Sequence, residues 1–326
     1  MRQTAINLVG SIVLSLLVLI GPSAHAGNYP DRPITLVAPF PPGGAADVVA
    51  RIIARKLEEQ LGKTVVVENR PGAGSMVGAL SVANAKPDGY TLLLGSNSTF
   101  TLNPAIIEKM PYDSKTAFEP VGKIGNVSLA LLINPAVPAQ TVPELVRLIK
   151  ANPDKYVYGS YGNGTTANFA GAMFNDMAGL NLVHVPYRGS TPAMMDLIGG
   201  QIPIAFDTII ATVPQLKNNK VRALAVTSTK RSQFLPDVPS LDELGYKGYD
   251  MTSWLCIVAP AGLPAEVSAT LRQAVTKMMA NKDTEDKLLG AGFEPELLLI
   301  DNWAAWVGDD VEKMRVIAKK SNISAE

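Results

Sequence analysis

From residue 34 onward, short β-rich runs alternate with helix-period patterns, and the alternation starts twice. Ile34 to Ala38 reads as a strand, and Ala45 to Leu61 as an amphipathic helix with Val48, Val49, Ile52, Ile53 and Leu57 on one face. Thr64 to Val67 is a strand, Ser75 to Ala85 a helix and Thr91 to Leu94 a third strand. Such a β-α-β-α-β order calls for right-handed crossovers and a parallel sheet. A second series follows Ile124-Gly125-Asn126. It has strands at Leu129 to Ile133, Tyr156 to Gly159, Leu182 to Val185, Pro203 to Phe206 and Ala223 to Thr227. Its helices are Thr141 to Ala151, Thr166 to Met177 and Pro192 to Ile198.

Two starts predict two α/β lobes, each a mainly parallel sheet flanked by helices. After the strand Met251 to Ala259 the tail reads as largely helical, with a break near Gly290 to Phe293, and is expected to pack on the first lobe. The chain then crosses between lobes twice, near 125 to 130 and near 250 to 257. The expected division is residues 27–126 plus 256–326 for the first lobe and 127–255 for the second. Two crossings make a hinge, with a cleft between the lobes.

Residues 1–26 read as an address. Arg2 precedes an apolar run from Ile6 to Ile20, Gly21-Pro22 breaks it, and Ala24-His25-Ala26 forms a small-x-small cleavage site. The run is short for a membrane span, and no cysteine follows it at a lipid-attachment position. An exported, soluble product in the periplasm is expected, cleaved after Ala26.

Charge removes several functions. The chain has 29 Lys plus Arg and 29 Asp plus Glu, so it lacks the basic surplus that nucleic-acid binding needs. The lone Cys256 offers neither a disulfide nor a thiolate cluster, and no metal or cofactor is expected. Past residue 26 the single imidazole is His184, in the strand-like Leu182 to Pro186. No G-x-S-x-G motif occurs, so an exported hydrolase would have to use His184. A packing role for that histidine, and a buried, inert Cys256, are the simpler readings.

Three glycine-bearing turns stand at strand-to-helix junctions. In the first, Pro39 to Asp47, Gly43 and Gly44 let the backbone approach a ligand, and the following helix presents free N–H groups and a partial positive charge. Asp47 is read there as a cap. The second, Gly159 to Thr166, offers Tyr161 as a wall and Thr165 or Thr166 as cap or ligand hydroxyl. Two opposed helix starts would then grip a carboxylate. The third, Gly72 to Gly78, has G-x-G-x-x-x-G spacing that only loosely mimics a dinucleotide loop, and is read as structural.

The chain resembles the substrate-binding proteins of tripartite tricarboxylate transporters, the Bug receptors. The resemblance rests on stretches spread over nearly the whole chain after residue 26: Tyr29 to Ile34 (YPDRPI), Pro39 to Gly44 (PFPPGG), Val67 to Gly74 (VENRPGAG), Pro87 to Leu92 (PDGYTL), Val185 to Gly189 (VPYRG), Arg222 to Thr227 (RALAVT) and Ala259 to Gly262 (APAG). It implies a two-lobed periplasmic-binding-protein fold of type II kind that closes over a small mono- or dicarboxylate and delivers it to a membrane permease. It implies no enzyme and no cofactor, and a monomer is the expected state. Carried over by motif, Phe40, Pro42, Gly43, Gly44, Ala45, Ala46 and Ser96 form the first-lobe contact. Tyr161, Asn163, Gly164, Thr165, Thr166, Asp207 and Thr208 form the second. Asn168, where the family often has His, and Cys256, where it usually has Gly, depart from the pattern. A sensor that presents its ligand to a membrane kinase or chemoreceptor is the alternative use of the same receptor.

Overall fold

The computed structural model describes residues 29–324; the expected signal segment, with His25, lies outside them. Strands β1 (Ile34–Ala38), β2 (Val65–Asn69), β3 (Thr91–Ser96) and β4 (Phe118–Val127) precede β5 (Leu129–Ile133), β6 (Val157–Ser160), β7 (Val183–Pro186), β8 (Ile204–Thr208) and β9 (Arg222–Val226). β10 (Ser253–Pro260) and β11 (Glu294–Leu298) follow. They form two sheets, ordered β11-β4-β10-β3-β1-β2 and β7-β6-β8-β5-β9. The chain passes from the first sheet to the second between β4 and β5, and returns between β9 and β10.

Each sheet is covered on both faces, which explains why β1 and β5 are nearly continuous apolar runs. The Ala45–Leu61 helix buries Val49, Ile53 and Leu57 against one face of the first sheet and stops at Gly62, whose left-handed φ of 65° lets its N–H bond Glu58 O. In the second lobe the Thr166–Ala178 helix lays Phe169 and Phe174 on the sheet beside Phe206. Among the described residues no helix is long and apolar enough to cross a membrane.

The two-lobed α/β architecture is as expected, but both sheets are mixed rather than mainly parallel. β1 pairs parallel with β2 and β3, and β6 with β7 and β8, whereas β10 and β5 pair antiparallel with both neighbours. The reason is the crossing itself: strands inserted from the other lobe enter the sheet in reverse. β4 was hidden because Pro120, Gly122 and Gly125 interrupt its alternation. β11, in the tail read as helical, is an edge strand of sequence Glu-Pro-Glu-Leu-Leu, tied to β4 by a Lys123–Glu296 ion pair. The tail packs on the first lobe through Trp303, Val307 and Val311, yet the same helix, Trp303–Lys320, also sets Met314 and Ala318 into the second lobe's core. The Ile209–Lys217 helix was missed, since Pro214 lies inside it. The Ser190–Gly199 helix begins two residues before Pro192.

Candidate functional site

The first side of the cleft is local in sequence. β1 runs out at Ala38, and the chain turns through Pro39 to Gly44 into the Ala45–Leu61 helix. Gly44 is the N-cap, so no side chain caps the helix, and its first-turn N–H groups and dipole are left for whatever occupies the cleft. Gly43, at φ 82°, donates its N–H to Asp47 Oδ2 at 3.0 Å, and Arg51 and Asn69 bond the same carboxylate. Burial raises the Asp47 pKa, but the hydrogen bonds from Arg51, Gly43 and Asn69 outweigh it and hold the group below its usual value. Asp47 is therefore committed to the turn. At the end of β3, Ser96 Oγ is buried on the cleft wall without a hydrogen-bond partner.

The second side is made of two other helix starts. The Ser190–Gly199 helix follows Gly189, at φ 125°, and has no side-chain cap. The Ile209–Lys217 helix is capped by Thr208, whose hydroxyl accepts from Ala211 N at 3.4 Å. The two sides nearly touch. A Cβ placed on Gly43 would stand 3.5 Å from Thr191 Oγ1, and one on Gly44 3.8 Å from Ser190 Cβ. On Gly189 it would lie 2.7 Å from the Pro41 ring, so this contact requires glycine.

Between them lies a cleft of about 550 Å³, open mouth included. Of the expected residues, Phe40, Gly44, Ala45, Ala46, Ser96, Tyr161, Asp207 and Thr208 line it. Pro42 and Gly43 are exposed and do not line it. Asn163 and Gly164 line an adjoining groove, past an edge-to-face Phe40–Tyr161 pair with centroids 6.4 Å apart. Thr165 and Thr166 are buried and engaged: Thr165 Oγ1 donates to Gly162 O at 2.6 Å, and Thr166 Oγ1 to Asn97 Oδ1 at 2.9 Å. The Thr166–Ala178 helix start thus serves its own chain. Gly164 N–H goes to Asn168 Oδ1, and the Tyr161 phenol bonds Thr166 and Ala167.

Sequence reading missed Ser190 and Thr191, with Pro41, Ser98, Val127, Ser253 and Leu255. The signal was present: Tyr187-Arg188-Gly189-Ser190-Thr191 is a fourth glycine turn between strand and helix.

Among the described residues, no Lys or Arg lines the cleft. Its one carboxyl, Asp207, is 1% exposed and accepts from Ser190 Oγ and from Thr208 N, each at 2.7 Å. Burial pushes it up to about 6 in spite of those hydrogen bonds.

His184 lies elsewhere, stacked on Tyr158 at 4.9 Å between centroids. Its Nε2 is 2.7 Å from Ser160 Oγ and its Nδ1 3.2 Å from Asn168 Nδ2. Because Asn168 Oδ1 accepts from Gly164 N, the amide turns its NH₂ toward Nδ1, which must accept. The proton therefore sits on Nε2 and is donated to Ser160 Oγ, while the serine hydroxyl donates to Gly162 O at 3.1 Å. That tautomer cannot take a proton from Ser160, which is itself fully buried. Burial lowers the His184 pKa to about 4. Cys256 is equally inert: it is buried in β10, and burial raises its thiol pKa.

Two α/β lobes meeting over a cleft lined by helix starts define a solute-binding protein of the periplasmic type. The chain belongs to the tripartite tricarboxylate transporter receptor family, whose model matches residues 49–323. It is 35% identical to a UPF0065 protein of Bordetella pertussis over 98% of this chain and 95% of that one. Among solved structures it is similar to the R. palustris protein Rpa4515 with adipate, at 32% identity and TM-score 0.87, covering 91% of this chain and 99% of that one. It is also similar to the periplasmic binding protein BugD, at 35% identity and TM-score 0.84, with the same coverage.

Proposed function

We propose that this chain captures a small mono- or dicarboxylate between its lobes and delivers it to a tripartite tricarboxylate transporter permease, without chemical turnover. The observation that carries this reading is the meeting of two glycine-led, uncapped helix starts, at Gly44 and Gly189, beside the unpartnered hydroxyl of Ser96. Backbone N–H groups and hydroxyls can replace the water around a carboxylate where no basic side chain is present. The adipate in the R. palustris neighbour supports the ligand class.

In this reading residues 1–26 direct export. Residues 27–126 with 256–326 then close on 127–255 about the two crossings, and the receptor acts as a monomer. A thermal-shift screen of mono- and dicarboxylates tests the proposal. At ligand one hundred times its Kd, the folded state gains about 2.7 kcal/mol, a readily measured rise in Tm. If no carboxylate raises Tm, the assignment fails.

A further inference from the structure

The cleft holds a carboxylate of its own. Asp207 lies at the end of β8, on the side facing the Ala45–Leu61 helix start, and both its oxygens are bonded by uncharged donors: Ser190 Oγ, Thr208 N and, at 3.4 Å, Thr208 Oγ1. Among the described residues no cation pairs with it. The Ala45–Leu61 helix across the cleft carries Asp47, which is bound by Arg51 and Asn69 and does not line the space. The segment after β6 brings Tyr161, whose phenol pKa is raised by burial and by the Asp207 charge. β3 and β10 contribute Ser96, Ser253 and Leu255 to the wall, and the Ser190–Gly199 and Ile209–Lys217 helix starts contribute hydroxyls.

A ligand anion admitted to this space meets an acid where a base would be expected. Two carboxylates within a few ångström in a desolvated site do not both stay ionised, and one of them takes a proton. The ligand carboxylate has the N–H groups and dipole of a helix start, which favour its charged form. Asp207 also stands beside two helix starts, those of Ser190–Gly199 and Ile209–Lys217, but it is fully buried and burial outweighs their donors, so its carboxyl is the weaker acid of the two. The shared proton therefore resides on Asp207.

Building on the carboxylate reading above, we propose that Asp207 is neutral in the complex and donates its O–H to a ligand carboxylate, so that the receptor takes up one solvent proton with each ligand and returns it on release. Alone in the cleft, the Asp207 carboxyl titrates at about 6, and a second negative charge beside it moves it higher. Between that value and the higher one in the complex, each added pH unit weakens binding about tenfold. Small carboxylates that are fully ionised above neutrality make clean probes, since their own titration then adds nothing.

The experiment is calorimetric titration of adipate and succinate into the purified chain at about pH 6.5, 7.5 and 8.5, each in two buffers of different ionisation enthalpy. The expected result is uptake of close to one proton per ligand at pH 7.5, and a Kd about tenfold higher there than at pH 6.5. In Asp207→Asn the amide oxygen still accepts from Thr208 N, while the NH₂ takes the place of the oxygen that Ser190 bonded, where the serine hydroxyl can turn to accept, and donates permanently. That variant takes up no proton, shows a flat profile, and binds about tenfold or more tightly than wild type at pH 8.5. Binding by wild type with no proton uptake and a flat Kd overturns the proposal. So does weaker binding by Asp207→Asn at every pH, which would make Asp207 the acceptor for a ligand hydroxyl or ammonium. Should Asp207→Asn not fold, the wild-type proton count decides. Should neither probe bind, the titration is run with the carboxylate that raises Tm most in the screen above, and if none raises it the carboxylate reading falls, and the proton with it.

Discussion

His184 makes the stability of this protein depend on pH with a sign that separates a packing residue from a catalytic base. The ring is half-buried and stacked on Tyr158, and its Nδ1 faces the NH₂ of Asn168. Protonating Nδ1 would point two donors at each other in a desolvated place, so the folded state resists the charge and the pKa falls from 6.5 to about 4. Above pH 6.5 the imidazole is neutral in both folded and unfolded chains and contributes no pH dependence. As pH falls below 6.5 the unfolded chain takes the proton first, and the folded state loses stability until about pH 4. The whole interval corresponds to about 3 kcal/mol. The measurement is urea unfolding followed by far-ultraviolet circular dichroism at several pH values, on wild type and on His184→Gln, which can still donate to Ser160. Other titrating groups cancel in the difference between the two proteins. His184→Gln is less stable than wild type at pH 7.5, having lost the stacked ring, and should recover about 3 kcal/mol relative to wild type by pH 4. A difference that does not change with pH refutes the neutral imidazole. A difference that moves the opposite way means that His184 is charged in the fold and that the Asn168 orientation is wrong.

Ser96→Ala removes a hydroxyl that has no partner and lines the cleft. It should stabilise the ligand-free protein by about 1 kcal/mol while weakening carboxylate binding about tenfold or more, read by urea unfolding and calorimetry. Gly74→Ala would place a Cβ 2.6 Å from Asn163 O, across from it on the other lobe, at a φ of 59° where an L residue alone costs about 1 kcal/mol. The variant should fold but close poorly, and small-angle scattering with saturating ligand should show it more extended than wild type. Gly44→Val has room for its Cβ, 3.7 Å from Pro41 O and 3.8 Å from Ser190 Cβ, but its methyl groups fill the space between the helix starts. Binding should fall by at least about a hundredfold with the circular dichroism spectrum unchanged.

The parts of the fold that were legible in the sequence are those decided by neighbours in the chain. The Ala45–Leu61 helix is readable because its apolar period and its glycine boundaries coincide, and its N-cap is the residue that builds the first side of the cleft. β4 and β11 were not legible. Their Pro, Gly and Glu residues are poor strand formers, held in place by β10 and by the Lys123–Glu296 pair, contacts that bring together residues far apart in sequence. The same division runs through the site. Phe40 to Ala46 form one continuous turn, whereas Ser190 and Asp207 come together only because the second sheet sets the starts of two helices side by side. The Gly159 to Thr166 turn, which puts Tyr161 on the cleft, adds a further point. A glycine turn before a helix shows that a helix start is available, but not whether the chain fills it, and here Tyr161 and Asn168 do.

The contacts between the lobes set how much the ligand must contribute to closure in the proposed receptor. Asn97 Oδ1 accepts from Ser98 N in the first lobe, Thr166 Oγ1 in the second and Ser253 Oγ on the returning strand, so one buried amide ties both lobes to the crossing. Pro41 lies against Gly189 and Phe40 against Tyr161, the aromatic pair alone contributing about 1 kcal/mol. Moving a two-state equilibrium from mostly open to mostly closed takes about 5.5 kcal/mol of differential affinity. A small carboxylate has few atoms with which to supply that, at no more than about 1.5 kcal/mol for each heavy atom and usually far less. Direct contacts between the lobes reduce the difference the ligand has to make. They allow an uncharged cradle of N–H groups and hydroxyls, weaker than an arginine clamp, to drive closure and still release its anion.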